Sequence, residues 1–130
     1  MSSGATFLVK NMRAVGMHHH GPAQLIVNAN YCLRWEPECL QDLGNAIALY
    51  DCKGKTRAYL TRKDAAVISD LFFAGIVCGT MVGKTCVLAH CVEQKLGPQQ
   101  ECTLQFKVAM KDVLFVEMLF KENNFVFIKR

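Results

Sequence analysis

Two runs of strand-forming residues in the middle of the chain constrain the fold more than any other feature. They span residues 46–52 and 56–61, and Lys53-Gly54 lies between them. A short polar connection that contains glycine, between β-branched and aromatic residues, is typical of a β-hairpin. Side chains alternate between the two faces of a strand. The second run therefore places Arg57 and Tyr59 on one face and Ala58 and Leu60 on the other.

Strands and a helix are predicted on both sides of this hairpin. Alternating apolar residues favour strands over 7–16 and 31–35, and Pro37 ends the second of these. A helix is predicted from residue 61 or 62 to about 74, where apolar side chains recur at helical spacing and Gly75 provides a stop. Beyond it, residues 76–81 and 85–93 favour two strands joined around Gly83. A loop over 95–100 and an alternating strand over 101–109 follow.

The last stretch leaves two alternatives open. Residues 113–120 fit a strand that pairs with 125–128, and they fit equally a helix in which Glu117 and Lys121 pair one turn apart. We favour a helix followed by a short strand. The whole pattern predicts a mostly β protein, a small β-barrel of the SH3 or OB type with one or two α-helices.

Composition places the chain among single-domain intracellular proteins. Its 130 residues are the size of one domain, so we predict a single domain over 1–130. No apolar run reaches the roughly 18 residues that a membrane-spanning helix needs, and the N-terminus has no secretory pattern. Seven cysteines, scattered among apolar neighbours, favour reduced thiols and a nuclear or cytoplasmic location.

The net charge of +4 is unevenly distributed along the chain. Residues 1–62 contain seven Lys and Arg against four Asp and Glu, whereas residues 63–130 contain eight against seven. The basic excess therefore lies in the half that contains the hairpin. This excess suits contact with phosphates, although it is far below that of strongly basic nucleic-acid-binding proteins.

Signatures of catalysis and of metal binding are weak. Gly79 and the segment 83–85 resemble a P-loop, but three residues separate the glycines where the motif needs four. Cys86, His90 and Cys91 lie close together, yet no CxxC pair exists, and a strand would turn Cys91 away from the other two. We therefore predict no enzymatic activity, no metal and no cofactor.

Two loops carry the most distinctive polar side chains. His18, His19 and His20 fit either a solvated loop or a set of rings that contact bases and phosphates. Asp42 lies in a loop before Asn45, where it can fix a turn through backbone amides or accept a hydrogen bond from a ligand hydroxyl.

Over residues 14–75 the chain resembles the HIRAN family, which includes the N-terminal module of helicase-like transcription factor enzymes. The matching pieces, in the family's order, are Val15-Gly16, residues 34–37, Asp42, Asn45-Ala46-Ile47, Gly54 and Tyr59-Leu60. About half of the chain is covered. The spacing from Glu36-Pro37 through Asp42 to Asn45-Ala46-Ile47 is the most specific part.

This resemblance implies a β-barrel that binds the free 3′ end of single-stranded DNA. By position, the family's base-contacting turn falls on His18, His19 and His20, its hydroxyl-binding aspartate on Asp42, and its phosphate contacts on Tyr59 and Arg62. Histidines thus replace the family's stacking aromatics, and Trp35 replaces an arginine.

Two functions follow as hypotheses. The first is a non-enzymatic nucleic-acid-binding module that prefers single-stranded DNA and its 3′ end, in a DNA repair or remodelling context. The alternative is a protein–protein interaction module that keeps the barrel and has lost the DNA-end pocket. The altered pocket residues and the apolar stretch 113–120 motivate this alternative. The sequence leaves the oligomeric state open.

Overall fold

A computed structural model describes residues 4–16, 25–26, 29–38, 44–77, 81–84, 92–94 and 97–130. These residues form β1 (Gly4–Val15), β2 (Asn30–Glu36), β3 (Ala46–Tyr50), β4 (Thr56–Leu60), α1 (Arg62–Phe73), β5 (Met81–Lys84), β6 (Val92–Gln94), β7 (Gly97–Ala109), α2 (Val113–Glu122) and β8 (Val126–Lys129). A short 3-10 turn, Met110–Asp112, precedes α2. The prediction of a mostly β protein with one or two helices is confirmed.

The strands of the described residues form one antiparallel sheet with the order β6-β7-β5-β2-β3-β4-β1-β8 and an additional pairing of β1 with β7. This additional ladder runs from Gly4 opposite Ala109 to Val15 opposite Gln99. The sheet is not closed into a barrel, so the predicted barrel is wrong. Among the described residues, the ladders between β1 and β4 and between β5 and β7 are short, with two residue pairs each.

A bulge divides β1 into two parts with different neighbours. The register with β7 shifts between Val9 and Met12, and Asn11 between them has a φ of 63°. Before the bulge β1 pairs with β8, and after it Ala14 and Val15 pair with β4. Because a bulge redirects the strand that contains it, one strand reaches both β8 and the central hairpin.

The predicted hairpin is confirmed, but its connection is longer than the tight turn that we predicted. Residues 51–55 join β3 to β4. The Asp51 carboxylate accepts hydrogen bonds from the amides of Lys53 and Lys55 at 2.9 and 3.0 Å. Gly54 has a φ of 79°, a conformation that costs glycine little. The turn is therefore stabilised from within by one side chain.

Helix α1 lies where the sequence predicts it. Thr61 is the N-cap, and its hydroxyl accepts a hydrogen bond from the Asp64 amide at 3.4 Å. The apolar residues that α1 buries are Ala65, Ile68 and Leu71. Ser69 donates a hydrogen bond to the Asn45 side-chain oxygen at 3.1 Å, and this bond ties the helix to the start of β3.

The region after α1 differs from the prediction. Ile76 and Val77 are not in a strand, because their amides bond to the Leu71 carbonyl oxygen at 3.0 and 3.3 Å and prolong the end of the helix. Gly83 lies inside β5, between β2 and β7, rather than in a turn. Pairing on both edges holds this glycine extended despite its weak preference for strands. Most of the predicted strand over 85–93 lies outside the described residues.

Strand β7 shows the predicted alternation and begins earlier than expected. Its buried face contains Cys102, Leu104, Phe106 and Val108. Residues 97–100 belong to this strand, so the predicted loop over 95–100 is wrong from Gly97 onward, where β7 pairs with β6. Gln100 is buried, and its side-chain amide bonds the Leu25 amide at 2.7 Å and the Leu25 carbonyl at 3.2 Å.

At the end of the described chain, the alternative that we favoured is confirmed: α2 is followed by β8. The ion pair of Glu117 is with Lys129 on β8, at 2.9 Å, and not with Lys121 one turn away. It links the helix to the sheet. Neither α1 nor α2 has the length and apolar character of a helix that crosses a bilayer.

An aromatic cluster holds α2 against the sheet. Phe120 is fully buried. Its ring centroid lies 5.5–6.2 Å from those of four other phenylalanines, Phe7, Phe106, Phe125 and Phe127. Such ring pairs add to the free energy of apolar burial. This cluster is therefore the contact by which α2 and β8 are packed onto β1 and β7.

Replacing Phe120 with alanine is expected to lower the free energy of unfolding by about 3–5 kcal/mol, because a fully buried ring is lost and a cavity remains. Urea denaturation measures the change. Phe115→Ala is the matched control on the same helix, since this ring is 51% exposed, and its effect should stay within about 0.5 kcal/mol. Equal losses for the two variants would contradict the described packing of α2.

Candidate nucleic-acid interface

Tyr59, one of the sequence-predicted site residues, lies on the outer face of β4. Its hydroxyl donates a hydrogen bond to Oε1 of Glu36 on β2 at 2.8 Å. A tyrosine hydroxyl carries one proton, and in this hydrogen bond the proton is directed at the Glu36 carboxylate. In this arrangement Tyr59 therefore has no hydroxyl proton left to donate to a ligand.

Glu36 also holds Arg34, its neighbour along the same face of β2. Nη2 of Arg34 lies 3.1 Å from Oε2 of Glu36 and 3.1 Å from the hydroxyl of Thr56 on β4. The guanidinium carbon lies over the Tyr50 ring, 5.0 Å from its centroid. Four side chains from three strands are thus joined in one network with Tyr59 at its edge.

Two alanines on the middle strand make this network possible. The register places Ala46 opposite Glu36, and Ala48 between Arg34 on one side and Tyr59 on the other. Both alanines are buried although they lie on the outer face. Because their side chains are short, groups from β2 and β4 meet above β3 and cover it.

Tyr50 is the aromatic base of the Arg34 contact. Burial, and then the neighbouring Cys32 thiol, raise the pKa of the Tyr50 hydroxyl above its ordinary value. The hydroxyl therefore stays protonated at neutral pH, and the ring keeps the neutral π-face that a cation prefers.

The hairpin turn beside Tyr50 is rich in positive charge. Lys53 and Lys55 are exposed there, and Arg57 follows at the start of β4. The one acidic group of the turn, Asp51, is engaged by backbone amides. The Lys55 amide, followed by that of Lys53 and the charge of Arg57, lowers the pKa of Asp51. The carboxylate is therefore ionised at neutral pH and is directed into the turn.

Arg62, the second predicted phosphate contact that the structure describes, is the first residue of α1 and is exposed. Two residues separate it from Tyr59, and one of them, Thr61, is the helix N-cap. A helix N-terminus carries partial positive charge. Arg62 therefore adds a full charge at a place that already favours anions.

His18, His19, His20 and Asp42 lie outside the described residues, so their predicted roles stay predictions. The residues that flank their segments are described. Val15, just before the histidine segment, pairs with Tyr59, and Glu36, just before the aspartate segment, bonds to the hydroxyl of the same residue. The chain thus leaves the sheet toward both segments from positions next to Tyr59.

Both segments are also fixed at their far ends. After the histidine segment, the backbone of Leu25 is bonded by the buried Gln100 side chain. After the aspartate segment, the Gly44 carbonyl accepts a hydrogen bond from Nε1 of Trp35 at 2.7 Å. A Cβ at Gly44 would lie 3.2 Å from the Pro37 carbonyl oxygen, so the two ends of this segment are close.

Sequence reasoning missed Arg34, Glu36 and Tyr50 as parts of the site. The available signal was the alternation of side chains along a strand. It places Arg34 and Glu36 on one face of β2, and Tyr59 on a polar face of the hairpin. Which of these residues meet depends on the register of three strands. On metal binding, the described residues contain no group of three His, Cys, Asp or Glu that could hold an ion. Cys86, His90 and Cys91 lie outside them.

Comparison with solved structures relates this fold to two others. The HIRAN domain of human HLTF matches with a TM-score of 0.72 and 15% identity, over 92% of this chain and 93% of that one. A structural genomics target from Lactobacillus plantarum matches with a TM-score of 0.54 and 18% identity, over 78% and 98%. No protein-family model and no curated protein sequence matches significantly. The chain therefore has a HIRAN-like fold.

The turn carboxylate gives a pH-dependent prediction. The pKa of Asp51 is lowered by folding, so its contribution to stability is present above its unfolded pKa and is lost as pH falls through the folded one. Asp51→Asn should lower the melting temperature at pH 7, and the difference from wild type should shrink as the solution is acidified below about pH 4. Thermal melts across pH measure both. Glu122→Gln, an exposed control at the end of α2, should show neither effect, and a pH-independent loss for Asp51→Asn would exclude the charge as its cause.

Proposed function

We propose that this chain is a non-enzymatic nucleic-acid-binding module whose ligand is single-stranded DNA, held at its free 3′ end. One observation carries the proposal. The described ends of the two segments that hold the histidines and Asp42 lie beside the same residue, Tyr59. The HIRAN-like fold over 92% of the chain supports the same class of function.

Each residue of the proposed site has a distinct role. His18, His19 and His20 contact the terminal bases, because imidazole rings stack on bases and bond to phosphates when protonated. Asp42 accepts a hydrogen bond from the terminal sugar hydroxyl. Arg62 binds the phosphate backbone as a fixed charge. The Tyr59 ring, oriented by Glu36, forms the wall between the two segments.

The proposed setting is DNA repair or remodelling inside the cell, in the nucleus or the cytoplasm. Free 3′ ends of single strands arise there during repair and replication. The scattered cysteines of the sequence, if reduced, suit such a compartment.

Fluorescence anisotropy with a 5′-labelled oligonucleotide tests the proposal. Binding should be strongest at low salt and weaken as salt rises. An oligonucleotide with a 3′-phosphate should bind at least several-fold more weakly than one with a 3′-hydroxyl, because the phosphate removes the hydroxyl and brings negative charge toward Asp42. Arg62→Ala should lower affinity and reduce the logarithmic salt slope by about 0.7.

Lys121→Ala, which removes an exposed charge on α2, is the matched control for Arg62→Ala and should leave the affinity unchanged. Absence of binding at low salt would refute nucleic-acid binding as a whole. Equal affinity for the two kinds of 3′ end would refute end recognition and the role of Asp42.

A second candidate function, protein interaction, rests on a separate surface. Large apolar side chains are exposed on α2, where the first two lie one turn along the helix from the third: Leu114 (73%), Phe115 (51%) and Met118 (59%). Contiguous exposed apolar side chains of this kind mark interaction sites in soluble proteins. The self-complementary case is a dimer of this chain, in which two such surfaces cover each other.

Sedimentation velocity across a range of protein concentrations tests self-association. A dimer that forms at micromolar concentration and dissociates in Leu114→Glu would support this second function, whereas Lys121→Ala should leave it intact. A monomer throughout the range would refute the dimer.

A further inference from the structure

Arg34 is held in place more firmly than an ordinary surface arginine. The Tyr50 ring supports the guanidinium from one side, at 5.0 Å from ring centroid to Cζ. Glu36 and Thr56 fix Nη2 at 3.1 Å each. An arginine side chain loses rotamer entropy when it is immobilised, and here three neighbours already restrict it.

The supported guanidinium is nevertheless accessible. The Arg34 side chain is 48% exposed. Tyr50 covers one face, and the hydrogen bonds to Glu36 and Thr56 both use one of the three guanidinium nitrogens. A planar cation that is fixed from below and open to solvent is a surface on which an aromatic base stacks, as bases do on arginine planes and on aromatic rings in single-strand recognition.

Charge around this position suits a nucleotide rather than a free base. The turn that directly follows Tyr50 contains Lys53 and Lys55, and Arg57 is the second residue of the next strand. Asp51 in the same turn is directed toward backbone amides. A base on Arg34 would therefore have three cations on the Tyr50 side for its phosphates.

The position is continuous with the proposed end site. Glu36 bonds Tyr59 through one oxygen and Arg34 through the other. Tyr59 on β4 and Arg34 on β2 are separated by β3, so they lie two strand spacings or about 10 Å apart. A single strand stacked at about 3.4 Å per base covers that distance in roughly three bases.

We propose that Arg34, supported by Tyr50, is a second base-stacking position, which binds an internal nucleotide of single-stranded DNA upstream of the end. This inference rests on the proposed function, because it needs a strand that reaches Tyr59. It adds a stacking contact and a phosphate track along the 51–55 turn. Longer strands therefore bind more tightly than the terminal nucleotides alone.

Two oligothymidylates with free 3′ ends, of two and eight nucleotides, test this proposal against wild type and Arg34→Lys. The lysine keeps the positive charge but lacks the planar guanidinium on which a base would stack. The eight-nucleotide affinity should fall about tenfold in Arg34→Lys, with the two-nucleotide affinity changed less than twofold. Arg130→Lys, a matched exchange at the far end of β1 and β8, should change neither. A thermal melt of each variant confirms that the fold is kept.

A direct readout separates stacking from a structural effect. Oligonucleotides with 2-aminopurine at each internal position report stacking as a loss of fluorescence. One internal position should be quenched by wild type and by Tyr50→Phe, which keeps the ring, and much less by Arg34→Lys and by Tyr50→Leu.

The outcomes distinguish this inference from the proposed function. If wild type binds both lengths and Arg34→Lys preserves their affinity ratio and the quenching, the second position is refuted and end binding stands. If wild type binds neither length at low salt, the proposed function is refuted, and the second position with it.

Discussion

The pairing of β1 with β7 is the constraint on which the rest of the structure depends. It joins residues near both ends of the described chain, from Gly4 opposite Ala109 to Val15 opposite Gln99. Such contacts are far apart in sequence and costly in chain entropy, and burial of the inner faces of both strands offsets that cost. The strand β1 that this ladder holds also pairs with β4, where Val15 lies opposite Tyr59. The position of the proposed site therefore depends on contacts between distant parts of the chain.

The contacts on the outer face of β2, β3 and β4 depend on the short side chains of the middle strand, β3. Ala46 and Ala48 leave room for Glu36 and Tyr59 to bond above β3. A larger side chain at either position would separate them and leave a carboxylate and a hydroxyl to find other partners. Inner-face neighbours on the same strand, such as Ile47, pack into the core instead. A single strand of five residues thus serves both the core and the candidate interface.

Local pattern predicted those parts of the fold that appear in the sequence as a repeat period or as turn chemistry. The hairpin, α1 and the alternation of β7 were of this kind, because period and turn chemistry determine them. The strand around Gly83 was not, since it is held by β2 and β7 rather than by its own residues. The predicted closure into a barrel was wrong, because closure depends on how far the ladders between strands extend, which no local pattern records.

For the site, motif position led to Tyr59 and Arg62, while register revealed Arg34, Glu36 and Tyr50. A motif compared with a family can only find the residues that the family uses. Arg34 lies in a segment that matches the family but has no site role in the resemblance, so its contacts identify it. The roles of the histidines and Asp42 stay predictions. The described residues that flank their segments lie beside Tyr59, as the proposal requires.

If a nucleotide binds this face as proposed, the placement of Glu36 separates its base from its phosphate. Its carboxylate lies between Tyr59 and Arg34 and is 15% exposed. It neutralises Arg34 and repels a phosphate from the centre of the face, while stacking, which needs no net charge, remains favourable there. At the rim, beside Lys53 and Lys55, the Asp51 carboxylate bonds inward to backbone amides and does not face a ligand. A strand crossing this face would therefore lay its bases over the centre and its phosphates along the rim.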